Sequence, residues 1–402
     1  MALLSPLKHP RWQAPPVLLG AYLLLGLLAS IIQVLKPEAT WGDSGYLYPQ
    51  YNNWLIFRAS FFHLIHHQAL YELSLAEYAD LFKYSPTFAL SMGPLAWLPP
   101  AVGFFGWNLL NAGSLYWALS RLPLQQPAKA RMLWFTLVEL LTNLQNAQSN
   151  ALIAALFIGS YVAYEHRNPT WAMLMIVANG FIKIFGIVSG ALFLLYPQKG
   201  KALGWGLGWL LVLALLPLLV ISPTELVNYY QQWGELLSRD HGGSYGFSVM
   251  GWLHSWFGWD APKLGVLGVG IVLFLLPYAR VQQYASPSFR LLLLASMMIW
   301  VIIFNHMAES PTFVIAVAGV AIWYFIRPRS KADLVLLVLV LVFTALSPTD
   351  LFPKFIKREF FRPYAIKAVP CILVWGKILY ELMTEDFRKP QADESLSFSA
   401  NR

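Results

Sequence analysis

The chain has 402 residues, of which 57% are hydrophobic and only 12% charged, and its formal net charge is +8. A soluble domain carries about 25% charged residues. That shortfall, with apolar runs of roughly 15 to 20 residues that match a ~30 Å hydrocarbon core, excludes a soluble helical protein. No basic stripe with interleaved aromatics is present, which excludes nucleic acid as a partner, and a lone cysteine, Cys371, excludes an internal disulfide.

The pattern predicts an all-α integral membrane protein of about twelve transmembrane helices, over 16–35, 101–120, 132–146, 147–164, 171–183, 184–197, 202–221, 264–279, 290–304, 311–326, 332–346 and 364–383. The first has no small-residue cleavage site after it and reads as a retained anchor. Residues 86–99 are apolar but short and bracketed by prolines, so they read as a re-entrant or interfacial helix. Charge tests this threading. With both termini in the cytoplasm, sixteen Lys and Arg fall in about 72 inside loop residues, against ten in about 130 outside. That bias has the direction of the positive-inside rule for a bacterial-type plasma membrane. Residues 1–385 then form one polytopic domain, and 386–402 a polar, disordered tail. The long connections, 36–100, 222–263 and 347–363, all lie outside, where binding groups belong.

Polar residues collect at these outer ends. The first loop opens with Trp41-Gly42-Asp43-Ser44-Gly45, a carboxylate between glycines, suited either to general-base or metal-ligand work or to a simple turn. Residues 52–67, with Asn52, Arg58, His63, His66 and His67, read as an amphipathic helix lying along the interface, since no acid or cysteine stands at metal-ligand spacing to the histidines. Lys83-Tyr84-Ser85-Pro86-Thr87 opens the apolar 86–99 segment as a proline-started helix, with Tyr84 a candidate substrate contact. The turn at 143–150 (Asn-Leu-Gln-Asn-Ala-Gln-Ser-Asn) crowds uncharged donors and acceptors, including Asn146, Gln148 and Asn150, at one vertex. Such a cluster suits carbohydrate recognition or helix-to-helix bonding. Lys183 alone separates two apolar runs, and a phosphate is an apt partner for its compact charge; snorkelling to the surface is the alternative. The second long loop holds Asp240, His241 and Tyr245 among glycines, followed by Trp252, Trp256 and Trp259. The short turn Asn305-His306-Met307-Ala308-Glu309 puts a histidine and an acid at the same outer level. In 347–363 four cations, Lys354, Lys357, Arg358 and Arg362, run against the positive-inside rule, which an anionic lipid partner or interfacial anchoring would explain.

The order and common sidedness of these motifs resemble the C-type (GT-C) glycosyltransferase superfamily. The features are the retained first span, the outer loop opening on Asp43, Tyr84-Ser85-Pro86-Thr87, and Pro94-Leu95-Ala96-Trp97-Leu98-Pro99. The turn 146–150 and the Ile182-Lys183 step sharpen the resemblance to the polyprenyl-phosphate-mannose-dependent α-mannosyltransferase family, across about residues 16–345. The resemblance implies interfacial helices in the first outer loop, a polyprenyl-phosphate sugar donor, a lipid or glycan acceptor and surrounding membrane lipids as partners. It implies an inverting transfer with neither metal nor other cofactor and a base in the first outer loop, which is Asp43 here. His306 would tune Asp43 or be the base itself. Lys183 would hold the donor phosphate, with Lys354 and Arg362 as helpers, and Asn52, Tyr84, Asn146, Gln148, Asn150, His241, Tyr245 and Glu309 would line the substrate site. One departure is Ala147, where the family's turn has glycine. The competing class is a transporter or flippase of a lipid-linked or small anionic substrate, which wants charges inside the spans; only Glu139, Lys367 and Lys377 stand there.

Overall fold

The computed structural model of the chain describes residues 9–40, 45–239 and 245–388. Helices dominate: α1 (Pro15–Leu35), α2 (Asn52–Ile65), α3 (Pro86–Ser91), α4 (Gly93–Ala96), α5 (Pro100–Ser120), α6 (Gln126–Gln145), α7 (Asn150–Glu165) and α8 (Pro169–Ile182) come first. A 3₁₀ helix, Ile184–Leu195, follows, then α9 (Lys199–Leu215), α10 (Pro223–Arg239), α11 (Val249–Phe257), α12 (Lys263–Leu275), α13 (Pro287–Ile303), α14 (Phe313–Phe325), α15 (Lys331–Leu339) and α16 (Val369–Thr384). The sheet among the described residues is one two-residue ladder, Ala39 opposite Tyr48 and Thr40 opposite Leu47.

Each segment read as a span is helical for most of its length. Two, Pro15–Leu35 and Lys199–Leu219, are long and apolar enough to cross a bilayer unaided, and six more are apolar helices of 10–17 residues. By that measure the count of twelve full spans is not reached among the described residues. The expected amphipathic element at 52–67 is α2, and 86–99 resolves into the two short helices α3 and α4. The last helix begins at Val369, so Lys367, expected inside a span, lies in the turn before it. Beyond 385 the chain packs back: Gln283 Nε2 donates to Asp386 Oδ1 at 3.0 Å and Phe387 is buried. Residues 389–402 of the predicted tail lie outside the described residues.

The core is built on α13 and α14, in which residues 291–303 and 313–323 are all buried. Gly319 permits their approach, since a Cβ there would sit 2.9 Å from the Ala295 carbonyl oxygen. At the periphery, α1, α9 and α12 expose large aliphatic side chains such as Leu24, Leu211 and Val272, a surface that hydrocarbon covers without loss. Several of the cations assigned to the inside are held by acids. Arg290 makes a two-pronged pair with Glu165 at 2.7 and 2.9 Å, and Glu381 takes both Arg327 at 2.6 Å and Arg329 at 2.7 Å. These pairs fasten the ends of α7, α13, α14 and α16 on one side and leave the uncharged polar cluster to the other.

Candidate functional site

The turn between α6 and α7 is the first component. α6 ends at Gln145, and the chain leaves it with Ala147 N–H donating to Leu144 O at 3.1 Å and Gln148 N–H to Asn143 O at 3.2 Å. This is the helix-ending pattern that needs a left-handed residue. Ala147 fills it at φ +50° and is fully buried. The turn is pinned from three sides, by Trp107 Nε1 on Ala147 O at 2.9 Å, Asn53 Nδ2 on Asn146 O at 2.8 Å and Asn143 Nδ2 on Gln148 O at 3.1 Å. A left-handed non-glycine residue costs about 1–2 kcal/mol, offset in a glycine variant by about 0.5–1 kcal/mol of unfolded-state entropy. Ala147→Gly is therefore expected to unfold within about 1 kcal/mol of the parent, and Ala147→Val, β-branched at positive φ, to lose about 2 kcal/mol or more. Denaturation midpoints of the purified variants check both.

The second component is Lys183. α8 stops at Ile182, Lys183 turns extended (φ −137°, ψ 130°), and the 3₁₀ helix starts at once. The break is fixed by Gly186, where a Cβ would lie 2.5 Å from Asn179 O. Lys183 Nζ donates to Asn150 Oδ1 at 2.9 Å and Gln148 Oε1 at 3.3 Å, and stands 5.6 Å from the Tyr84 ring and 5.9 Å from the Phe185 ring. Tyr84 OH donates to the same Gln148 oxygen at 3.3 Å. Lys183 forms no ion pair among the described residues; its contacts are neutral oxygens and ring faces, with Glu309 and Lys83 acting on it through space. Around it Asn150 Nδ2, Asn143 Oδ1 and both side-chain atoms of Asn179 are buried without a hydrogen-bond partner. Buried groups of this kind are normally satisfied.

Tyr84 is placed by its neighbours. Ser85 caps α3 by accepting Phe88 N–H at 3.1 Å and donates to Phe181 O at 2.6 Å, which ties the start of α3 to the end of α8. The Tyr84 ring stacks on Phe88 at 4.6 Å and meets the Phe57 edge at 4.9 Å. Asn52, on the same helix as Phe57, is not at this vertex by its hydrogen bonds. Its amide donates to Ala79 O at 2.6 Å and accepts Ala79 N–H at 2.9 Å, fixing the first outer loop.

The remaining candidates divide. The 304–309 turn lies against the second long loop, where Phe247 N–H donates to Ala308 O at 3.0 Å and a Cβ on Gly246 would meet His306 O at 2.5 Å. His306 is half-buried and Glu309 is exposed. Tyr245 belongs to a separate surface group: it donates to Asp260 Oδ1 at 3.0 Å, and His254 Nδ1 lies 2.6 Å from the same oxygen. The Asp260 carboxyl is held below the usual carboxylate range by His254 and then Tyr245. Of the four outer cations, Lys357 pairs with Asp350 at 3.1 Å and Arg358 with Glu359 at 2.7 Å. Lys354 and Arg362 are exposed and form no side-chain bond among the described residues. The Asp350 carboxyl is held low by Lys357, with Lys354 and Lys36 as weaker contributors, so this loop lies near the exit of α1. Asp43 and His241 lie outside the described residues.

Two groupings were not foreseen from the sequence. Lys367 Nζ bonds Glu139 Oε1 at 2.7 Å and Ser310 Oγ at 3.0 Å, so two charges read singly neutralise each other. The signal was available as one lone cation and one lone anion in otherwise apolar surroundings. The three histidines of the first loop part company: His63 takes Glu77 at 2.6 Å, His67 takes Glu225 at 2.8 Å, and His66 stacks on Phe62.

No curated protein matches the chain. The sequence profile of glycosyltransferase family 87 matches residues 82–304, more than half of the chain, and takes in Tyr84, the 143–150 turn and Lys183. The chain belongs to glycosyltransferase family 87, and its reaction is the transfer of a sugar.

Proposed function

We propose that the chain moves a sugar, mannose in the first instance, from a polyprenyl-phosphate donor to a lipid or glycan acceptor on the non-cytoplasmic face of a bacterial-type plasma membrane. The observation that carries this reading is the Lys183 ammonium held among neutral partners at a vertex of unsatisfied amides. A phosphate oxygen takes the remaining Lys183 N–H as a charge-assisted bond. Asn143, Asn150 and Asn179 offer donors and acceptors for sugar hydroxyls, and the Tyr84 ring closes one side.

In the proposed step the acceptor hydroxyl attacks the anomeric carbon from the face opposite the phosphate. Its proton passes to the Asp43 carboxylate, and the carbon–oxygen bond to phosphate breaks with its electron pair on the phosphate, inverting the centre. Lys183 stabilises the negative charge gathering on the leaving oxygen, with Lys354 and Arg362 as exposed helpers and His306 orienting Asp43. No metal is needed in this scheme. A transporter reading relies on charges buried in the spans, and Glu139 and Lys367 bond to one another instead.

Purified protein in nanodiscs, given radiolabelled polyprenyl-phosphate mannose, glucose, galactose or arabinofuranose with a membrane lipid extract as acceptor source, tests the reading. Label is expected in a new glycolipid or glycan from the mannose donor with inverted anomeric configuration. Transfer from nucleotide sugars and from none of the lipid donors would refute it.

A further inference from the structure

A second polar site lies on the far side of α2. At helical spacing Trp54, Phe57, Phe61 and Leu64 form the buried face, and Phe57 meets Tyr84. The opposite face, with Arg58, Phe62, His63 and His66, lines an open cleft of about 460 Å³, closed on its far wall by Gln68 and Glu77. The wall is fixed: Tyr229 of α10 donates to Gln68 O at 2.8 Å, and His67 pairs with Glu225 of the same helix.

The two charges of this cleft, Glu77 and Arg58, are not paired with each other. Glu77 is taken up by His63 Nε2 at 2.6 Å and Ser74 Oγ at 3.0 Å. Arg58 has no acid partner among the described residues; its guanidinium lies 4.8 Å from the Phe62 ring centre, and its Nε is buried without a hydrogen bond. Arg58 is half-buried and lines the open cleft, and the planar fork of its guanidinium fits an oxyanion. His63 is more than nine-tenths buried, and with Nε2 directed at Glu77 its Nδ1 is left without a partner. In the neutral ring that nitrogen accepts, so a hydroxyl brought to it would complete the ring's hydrogen bonds. At the mouth Trp97 packs on Phe62 at 5.5 Å and is 68% exposed, as an indole at the headgroup level is.

We propose that this cleft binds a phosphate that carries a free hydroxyl, as in a phosphoglycerol headgroup, with Arg58 and His66 on the phosphate and His63 on the hydroxyl. The site is separate from the Lys183 vertex and stands whether or not the proposed donor is right. The ligand is a membrane lipid or a free phosphate ester, and the test separates the two. The full-length protein is released from nanodiscs of phosphatidylcholine and phosphatidylglycerol, and retained lipid is counted by native mass spectrometry with and without added glycerol phosphate. The parent is expected to retain phosphatidylglycerol over phosphatidylcholine. Retention should fall about tenfold or more in Arg58→Gln, the loss of a charge-assisted bond, and recover in part in Arg58→Lys. Ala59→Trp, which fills the cleft from a half-buried position without touching its charges, should lose it as well. Displacement of the lipid by glycerol phosphate in the parent, with none in Arg58→Gln, supports the site with the soluble ester as ligand. Equal retention by the parent, Arg58→Gln and Ala59→Trp, with no effect of glycerol phosphate, overturns the proposal.

Discussion

Lys183→Gln is expected to lower the rate of sugar transfer by about 10²–10³ while leaving the protein folded. Among the described residues Lys183 is the one cation bonded directly to the turn amides, and both of its hydrogen bonds go to neutral side chains, Asn150 and Gln148. Glutamine retains a donor for those oxygens, so the local structure survives the change. What it lacks is the positive charge, and the charge on a departing phosphate is larger in the transition state than in the bound donor. The loss should therefore fall mainly on kcat, with a smaller change in KM. Lys183→Arg keeps the charge but replaces a compact ammonium with a wider fork, and should recover part of the rate. An unchanged kcat in Lys183→Gln would remove this residue from the chemistry.

The second large effect is structural. Glu139 and Lys367 are both buried, their 2.7 Å bond joins α6 to the turn before α16, and the Ser310 hydroxyl ahead of α14 accepts from the same ammonium at 3.0 Å. Thr344 Oγ1 donates to Lys367 O at 2.8 Å, which adds a fourth element. Lys367→Met would leave the Glu139 carboxylate buried alone, at a cost of about 3–5 kcal/mol. Removing both charges, in Glu139→Leu with Lys367→Met, should restore much of that loss, because a buried pair is often no better than apolar side chains of like size. Thermal unfolding of the two single variants and the double variant gives the coupling directly. Additive losses would show that the pair is not a unit.

Much of the helical layout was legible in the apolar runs, and the physical reasons for the exceptions are local. Residues 184–195 are short for a span as an α-helix, at about 18 Å, but wind as a 3₁₀ helix that reaches about 24 Å. Composition does not reveal that stretch, because it depends on the Lys183 break and on Gly186 fitting against Asn179. Tyr84, Gln148, Asn150 and Lys183 were each visible as polar groups at outer ends, and their convergence follows once α3, α7 and α8 meet at one level. Asn52 looked equally available, yet the Ala79 backbone takes up its amide. Which way a polar side chain turns from a helix end is set by loop packing, and the hydrophobic pattern carries no record of it. The same limit hid the Arg58 cleft, since an amphipathic face reads alike whether it meets headgroups at large or closes around one of them.

The most direct test of the central claim is the transfer assay run with Asp43→Asn alongside the parent, in membranes matched for protein content. Asn keeps the size of the side chain but cannot take the acceptor's proton, and general-base catalysis is worth about 10²–10⁴ in rate. The account predicts that label from the polyprenyl-phosphate sugar no longer reaches acceptor in the variant while its expression is unchanged. Near-parental transfer by Asp43→Asn would contradict it.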